Sequence, residues 1–248
     1  MCGIVGYVGK RQALGILLGG LQRLESQDDD SAGIVVQNGH GLTSEKVPGK
    51  VAALRARISD RPFNGGSGLG HSRRATHGGV TRANAHPHFS CDGKFAVVHN
   101  GIVENHDELR RELHRHRFSS ATDTEVIPHL IEERYENLGG DLLRSVMLTL
   151  KKLRGSFSLG VITAHRPGLL VAARVDRPLL IGLGEGKAFL ASDLSALLPH
   201  TQRIVSLKGS EIVEMDGTGM QIFDADLRPR SREPRTASSL RHLSCRTT

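Results

Sequence analysis

The second residue of the chain is a cysteine, and its position gives it chemical interest. If Met1 is removed, as a small following side chain generally permits, Cys2 holds both a thiol and a free α-amine. A thiol of pKa about 8.5 beside an amine of about 7.7–8.0 is a nucleophile and its base within one residue. Three further segments carry suitable partners: His71-Ser72-Arg73-Arg74-Ala75-Thr76-His77-Gly78, Asn84-Ala85-His86-Pro87-His88 and His99-Asn100-Gly101. The Arg73 guanidinium can grip a carboxylate through paired N–H donors. The Asn100 amide and the Gly101 N–H can hold a tetrahedral oxyanion. Asp123, on a helix-start loop, can offer a fixed anion to an ammonium group. Together these parts describe acyl transfer from an amino-acid amide. Singly they are bland, since a cysteine at position two is usually accidental and Asn-Gly is most often a hairpin turn.

Other clusters do not pass the same test. His86, His88 and Cys91 look like metal ligands, but structural zinc wants four, and no complementary cysteine pair lies nearby. A pocket-loop role is the stronger reading, and no metal or cofactor is expected. The segment Gly182-Leu183-Gly184-Glu185-Gly186-Lys187 suggests a phosphate loop. However, Ile181 and Ala188 occupy the positions where that motif needs glycine and a hydroxyl, so a turn between strands is expected. Cys91 and Cys245 have no recognisable partner and read as ordinary thiols.

The elements that must position these residues follow from the apolar rhythm. Leu14, Leu17, Leu18, Leu21 and Leu24 repeat at helical spacing over residues 12–25. Further helices are predicted over 102–114, 123–137 and 140–153, with Asp123 or Thr124 capping the middle one. Short β-type runs occur at 4–8, 34–36 and 95–98, the last ending in the turn pair Asn100-Gly101. A series of strands fills the final third: 157–163, 169–173, 179–181, 188–191, 203–207, 211–215 and 220–223. Strands joined by tight turns favour antiparallel sheets with helices on their outer faces, an α+β architecture.

The 248-residue chain is 38% hydrophobic and 24% charged, which fits a soluble globular protein. No apolar run approaches a membrane span, and Gly3, Gly6 and Gly9 interrupt the only N-terminal apolar stretch, so no secretory signal is expected. Three scattered cysteines fit a reducing cytoplasm. The net charge is +7, but the six arginines and one glutamate of residues 228–248 supply +5 of it, leaving only +2 on residues 1–227. That body charge is no nucleic-acid footprint. The Arg-rich segment 228–248 reads as a disordered tail.

Six ordered blocks carry a family resemblance: Met1–Gly6, Asp30–Gly33, Ala75–Gly78, Asn84–His88, Val97–Asn105 and Thr122–Ile127. They resemble the class II glutamine amidotransferase domain of the N-terminal-nucleophile hydrolases, over residues 2–227. Ala172-Ala173-Arg174, Pro178-Leu179 and Leu190–Asp193 extend the match. The resemblance implies a four-layer αββα sandwich that hydrolyses L-glutamine to glutamate and ammonia through a thioester on Cys2. It also implies Asn100 and Gly101 as the oxyanion hole, Arg73 for the α-carboxylate and Asp123 for the α-ammonium. Thr76 and His77 match residues lining the same pocket.

Three positions depart from the family. Arg74 stands where the amino-sugar-forming branch usually has Trp, Ser26–Asp29 replaces Tyr-Arg-Gly-Tyr, and Asp176-Arg177 replaces Gly-Ser. The sugar-phosphate isomerase (SIS) domains of that branch are not recognised in this chain, so a separate SIS-domain acceptor protein is an implied partner. Two alternatives to a glutaminase of that branch stay open: a degenerate glutamine-binding or regulatory module, and an ammonia donor to a different acceptor enzyme.

Overall fold

The computed structural model describes residues 2–240; Met1 and residues 241–248, with Cys245 among them, lie outside the described residues. The chain runs β1 (Gly3–Gly9), α1 (Ala13–Leu24), β2 (Ser31–Asn38), β3 (Gly41–Pro48), α2 (Val51–Ile58), β4 (Ser67–Arg73), β5 (His88–Phe89), β6 (Phe95–Gly101), α3 (His106–Glu112), α4 (Val126–Asn137) and α5 (Leu142–Leu150). It continues through β7 (Phe157–Thr163), β8 (Leu170–Val175), β9 (Leu180–Gly184), β10 (Lys187–Ala191), β11 (Arg203–Ser206), β12 (Ser210–Met215), β13 (Met220–Phe223), β14 (Pro229–Arg230), β15 (Arg235–Thr236) and α6 (Ala237–Leu240). One sheet has the order β15-β11-β9-β10-β1-β4-β2-β3, and the other β14-β13-β12-β8-β7-β6-β5. Both ladders are antiparallel.

Alternation along the strands builds three apolar layers. Val5 and Tyr7 of β1 and Ile34 and Val36 of β2 pack under α1 and α2. Ile4, Val8 and Val35 turn the other way and meet Ala96, Val98, Leu170 and Ala172 of the second sheet. Phe95, Val97, Val171 and Ala173, on that sheet's far face, pack against α4 and α5. A strand buried on both faces favours apolar residues at successive positions, which explains the apolar runs in the sequence. The result is the expected αββα sandwich of two antiparallel sheets.

Several local expectations change. Residues 102–114 are helical only from His106 to Glu112, and α4 begins at Val126 without a side-chain cap from Asp123 or Thr124. Asn100-Gly101 is not a turn: both residues finish β6 and pair with Ser158 and Phe157 of β7. Strand β4, Ser-Gly-Leu-Gly-His-Ser-Arg, has no β-branched residue, yet lies between β1 and β2 and is buried throughout. Pairing on both edges overrides its poor propensity. Strand pairing also continues beyond residue 227, where a disordered tail was expected. Pro229 pairs with Phe223, and Arg235 with Ile204, so this segment edges both sheets in turn.

Where the sheets meet, Leu69 is fully buried, and its Cδ2 would lie 3.1 Å from a Cβ at Gly6 and 2.9 Å from one at Gly160. Glycines there let the layers approach around one leucine. Leu69→Ala is expected to cost about 2–5 kcal/mol in urea unfolding, because the flanking strands cannot collapse into the space.

Candidate active site

Strand register places the reactive residues. Gly3 pairs with Ser72, which brings Cys2 beside Arg73 and Arg74 at the end of β4. The Arg74 N–H donates to Cys2 Sγ at 3.2 Å. Ile4 pairs with His71, so His71 shares the face of β1 and β4 that looks at the second sheet. On that second sheet stands Asn100. Its Nδ2 donates to the Cys2 carbonyl at 2.9 Å, and its Oδ1 lies 2.8 Å from His71 Nε2. Because the Cys2 carbonyl can only accept, the amide orientation is fixed, and His71 must carry its proton on Nε2. The next residue, Gly101, has φ +123°, and a Cβ there would lie 2.2 Å from the Ser156 carbonyl oxygen. Only glycine fits this strand end.

A cavity of about 210 Å³ opens at this end of the sandwich, lined by Cys2, Arg73, Thr76, Asn100, Gly101 and Asp123 among others. Arg73 is buried; its Nη2 donates to the His77 carbonyl, and its Nη1 finds no partner among the described residues. Asp123 Oδ2 accepts the Val103 N–H at 2.7 Å, a loop-holding bond in place of the expected cap. Ser158 also lines the cavity, and its Oγ has no partner among the described residues. Buried polar atoms left unpaired are costly, and a polar ligand would satisfy them. Of the seven residues that the sequence assigns to the glutamine site, only His77 stays off the cavity wall. Its ring packs edge-on to His106 at 5.0 Å, and its carbonyl anchors Arg73. Burial pushes the Cys2 thiol above its ordinary value, partly offset by the Arg74 N–H.

Sequence reasoning missed the polar interior behind the cavity. His71 stacks on His86 at 4.2 Å between ring centroids, and His86 meets His88 at 4.7 Å. The His99 N–H donates to His86 Nδ1 at 3.2 Å, which leaves the His86 proton on Nε2, 3.4 Å from Thr124 Oγ1. Thr124 in turn meets His99 Nδ1 at 2.9 Å. Burial holds His71 and His99 down to about 4, although Asn100 and Asp123 pull them upward, and it lowers His86 and His88 as well. The only sequence signal was the density of histidines in the quoted blocks. His86 and His88 belong to this cluster, whereas Cys91 lies elsewhere, beside His116, His129 and Glu132. The reading of Cys91 as a partnerless thiol is therefore corrected. Glu185 and Gly186, the latter at φ +64°, form the expected turn between strands, while Gly182–Gly184 end β9 and Lys187 opens β10.

The departures now have physical locations. Arg74 and Asp28 meet across the cavity rim at 3.1 Å, both largely exposed. Asp29 closes its own loop by accepting the Ser26 N–H and Oγ–H. Asp176 has φ +66°, a left-handed conformation that aspartate tolerates and glycine adopts freely. Arg177 joins the cavity wall.

A family profile described as glutamine amidotransferase domain matches residues 71–199. The isomerizing glutamine–fructose-6-phosphate aminotransferase of Thermus thermophilus is 49% identical over 236 residues, covering 94% of this chain and 38% of the relative. The Aquifex aeolicus enzyme of the same name is 47% identical, covering 94% and 39%. The chain thus spans well under half the length of these relatives. Among solved structures, the glutamine phosphoribosylpyrophosphate amidotransferase of B. subtilis superposes with a TM-score of 0.76 at 26% identity, over 92% of this chain and 50% of that one.

The buried histidines make stability depend on pH. Their folded-state values lie below the free value of 6.5, so the unfolded chain binds protons that the folded chain refuses. Stability is whole above that value and falls as pH drops from about 6.5 towards 4, by at most about 1.4 kcal/mol per pH unit for each ring. Urea unfolding followed from neutral pH down through this window is expected to show that loss; a flat profile would mean that the rings protonate in place.

Proposed function

The chain belongs to the glutamine amidotransferase family, and on that premise we propose that it is a cytoplasmic glutaminase, the ammonia-releasing part of an isomerizing glutamine–fructose-6-phosphate aminotransferase system. The observation that carries this reading is the Asn100 amide, held between His71 Nε2 and the Cys2 carbonyl in a cavity that also contains Arg73 and Asp123. The match of 94% of this chain to relatives of that name favours catalysis over a purely regulatory glutamine-binding role.

In this reading, removal of Met1 frees the Cys2 amine, which takes the proton of Sγ. The thiolate attacks the side-chain carboxamide carbon of glutamine. One hydrogen of Asn100 Nδ2 anchors the Cys2 carbonyl, and the other, with the Gly101 N–H, meets the oxyanion. Collapse breaks the C–N bond, and ammonia leaves with the proton returned by the amine. Water then attacks the thioester, releasing glutamate and restoring the thiol. Arg73 Nη1, otherwise unpaired, receives the substrate α-carboxylate, and the buried carboxylate of Asp123 receives the α-ammonium. Thr76 forms part of the wall, and His77 acts through its hold on Arg73. The acceptor sugar phosphate belongs to SIS-type domains outside these residues, on a partner chain or elsewhere. No metal or cofactor takes part in this chemistry.

Intact-mass analysis is expected to show loss of Met1, and a glutamine-mimicking electrophile to label Cys2; labelling at Cys91 or Cys245 overturns the assignment. Cys2→Ala should abolish turnover with the fold intact, and Asn100→Ala should lower kcat by about 10²–10³-fold. Arg73→Ala should cost about 3–5 kcal/mol in kcat/KM, because it strands a substrate charge in a closed pocket. Arg73→Lys should recover only part of this. An unchanged kcat/KM for glutamine in Arg73→Ala would sink the pocket reading.

Given glutamine and fructose 6-phosphate, the 248-residue chain should release ammonia in step with glutamate and form no amino sugar. An exposed guanidinium seals a channel less well than an indole, so Arg74 should not hold ammonia back. Sugar amination by this chain alone would refute the division of labour.

A further inference from the structure

Outside the cavity, four side chains converge that glutamine hydrolysis does not use. Cys91 sits in the turn between β5 and β6, His116 in the loop after α3, and His129 and Glu132 three residues apart on α4. One ligand atom from each lies within 4.8 Å of the others. Cys91 Sγ is 3.4 Å from His116 Nδ1 and 3.6 Å from His129 Nδ1. Glu132 Oε2 is 3.2 Å from His116 Nδ1 and 3.9 Å from His129 Nδ1. In a zinc tetrahedron with Zn–S near 2.3 Å and Zn–N or Zn–O near 2.0–2.1 Å, sulfur–nitrogen edges are about 3.5 Å and nitrogen–oxygen edges about 3.3 Å. Three of these four separations already match such edges, and the fourth needs a shift of about half an ångström.

The surroundings orient the same atoms. Both histidines turn Nδ1 inward, while His116 Nε2 lies 3.2 Å from Glu133 Oε1 and His129 Nε2 lies 3.9 Å from Glu125 Oε1. The Glu133 carboxylate behind His116 favours its Nε2–H tautomer and leaves its Nδ1 lone pair for a cation, while His129 Nε2 has no hydrogen-bond partner among the described residues. The Arg117 N–H donates to Cys91 Sγ at 3.3 Å. A thiolate, a carboxylate and two neutral imidazoles would neutralise a divalent ion. Cys91 is exposed and offers a way in, while His129 and Glu132 are buried.

We propose that Cys91, His116, His129 and Glu132 form a structural site for a tetrahedral divalent transition metal, zinc first among them. Two imidazoles and a thiolate select that class over magnesium or calcium. Binding forms the metal–sulfur bond and releases the Cys91 proton, so affinity falls as pH falls. The ion would staple the β5–β6 turn and the loop after α3 to α4. Just ahead of α4, Thr122–Glu125 carries Asp123 and Thr124 of the cavity, and the Glu125 carboxylate binds Ser119 and Ser120. The staple therefore supports one wall of the glutamine pocket without touching substrate.

The full chain, stripped with chelator, is titrated with zinc chloride and, separately, with cobalt(II). One equivalent of zinc should be retained through gel filtration and should raise Tm, as any ligand of the folded state does. Cobalt should give a thiolate charge-transfer band with tetrahedral visible absorption, present also in Cys2→Ala. Cys91→Ser changes an exposed residue, and should lose the band and weaken zinc binding more than about 100-fold, the upper end of what a supporting partner alone contributes. His116→Gln should weaken binding comparably. No retained zinc in the parent chain, or equal retention by Cys91→Ser, overturns the proposal.

Discussion

One side-chain amide ties the two sheets together where the cavity opens. Asn100 reaches from β6 of the second sheet to His71 on β4 and to the Cys2 carbonyl ahead of β1 in the first. The two β1–β4 residues sit side by side because the ladder register pairs Gly3 with Ser72. A slip of one residue would turn His71 to the helical side and leave both ends of the amide unpaired. Antiparallel register on one sheet and layer spacing on the other therefore meet in a single pair of hydrogen bonds. The inter-sheet core around Leu69 sets that spacing.

Behind the amide, the protein tolerates an unfavourable interior. Four histidines are buried in contact with one another, and His71 Nδ1 and His99 Nε2 have no partner among the described residues. Low dielectric excludes charge from these rings, so each carries a proton on one nitrogen and a lone pair on the other. Fixed tautomers give directional bonds: His71 to Asn100, and His86 to Thr124 beside Asp123. The cost in stability is the usual companion of a preorganised polar site. Arg73, buried with Nη1 unpartnered among the described residues, belongs to the same economy.

The rim of the cavity follows different physics. Arg74 and Asp28, two of the departures from the family pattern, form an ion pair with each other. Because both are exposed, the pair contributes about 0–1 kcal/mol and weakens with salt. The rim contact therefore has little stabilising force behind it. The opposite wall is built more firmly. Glu125 accepts four hydrogen bonds from Ser119 and Ser120, and α4 behind it is packed into the outer apolar layer.

Read alone, the sequence determined the fold class, most strands and the candidate residues of the site. Their largely apolar composition made 157–163, buried throughout, and 220–223 legible to the residue. The family blocks named Cys2, Arg73, Asn100, Gly101 and Asp123 because reactive groups cannot be exchanged without losing chemistry. Only the tertiary structure decided the rest. Strand β4 lacks β-propensity and exists because β1 and β2 claim its edges. Asp123 looked like a helix cap, but a longer-range bond to Val103 takes its carboxylate. His86, His88 and Cys91 are close in sequence and part company in space. Cys91 instead meets His116, His129 and Glu132 across 41 residues or fewer of chain, a convergence that no local spacing encodes. Local pattern reports burial and turn chemistry, whereas contacts between distant segments depend on register and layer packing, which exist only once the chain has folded.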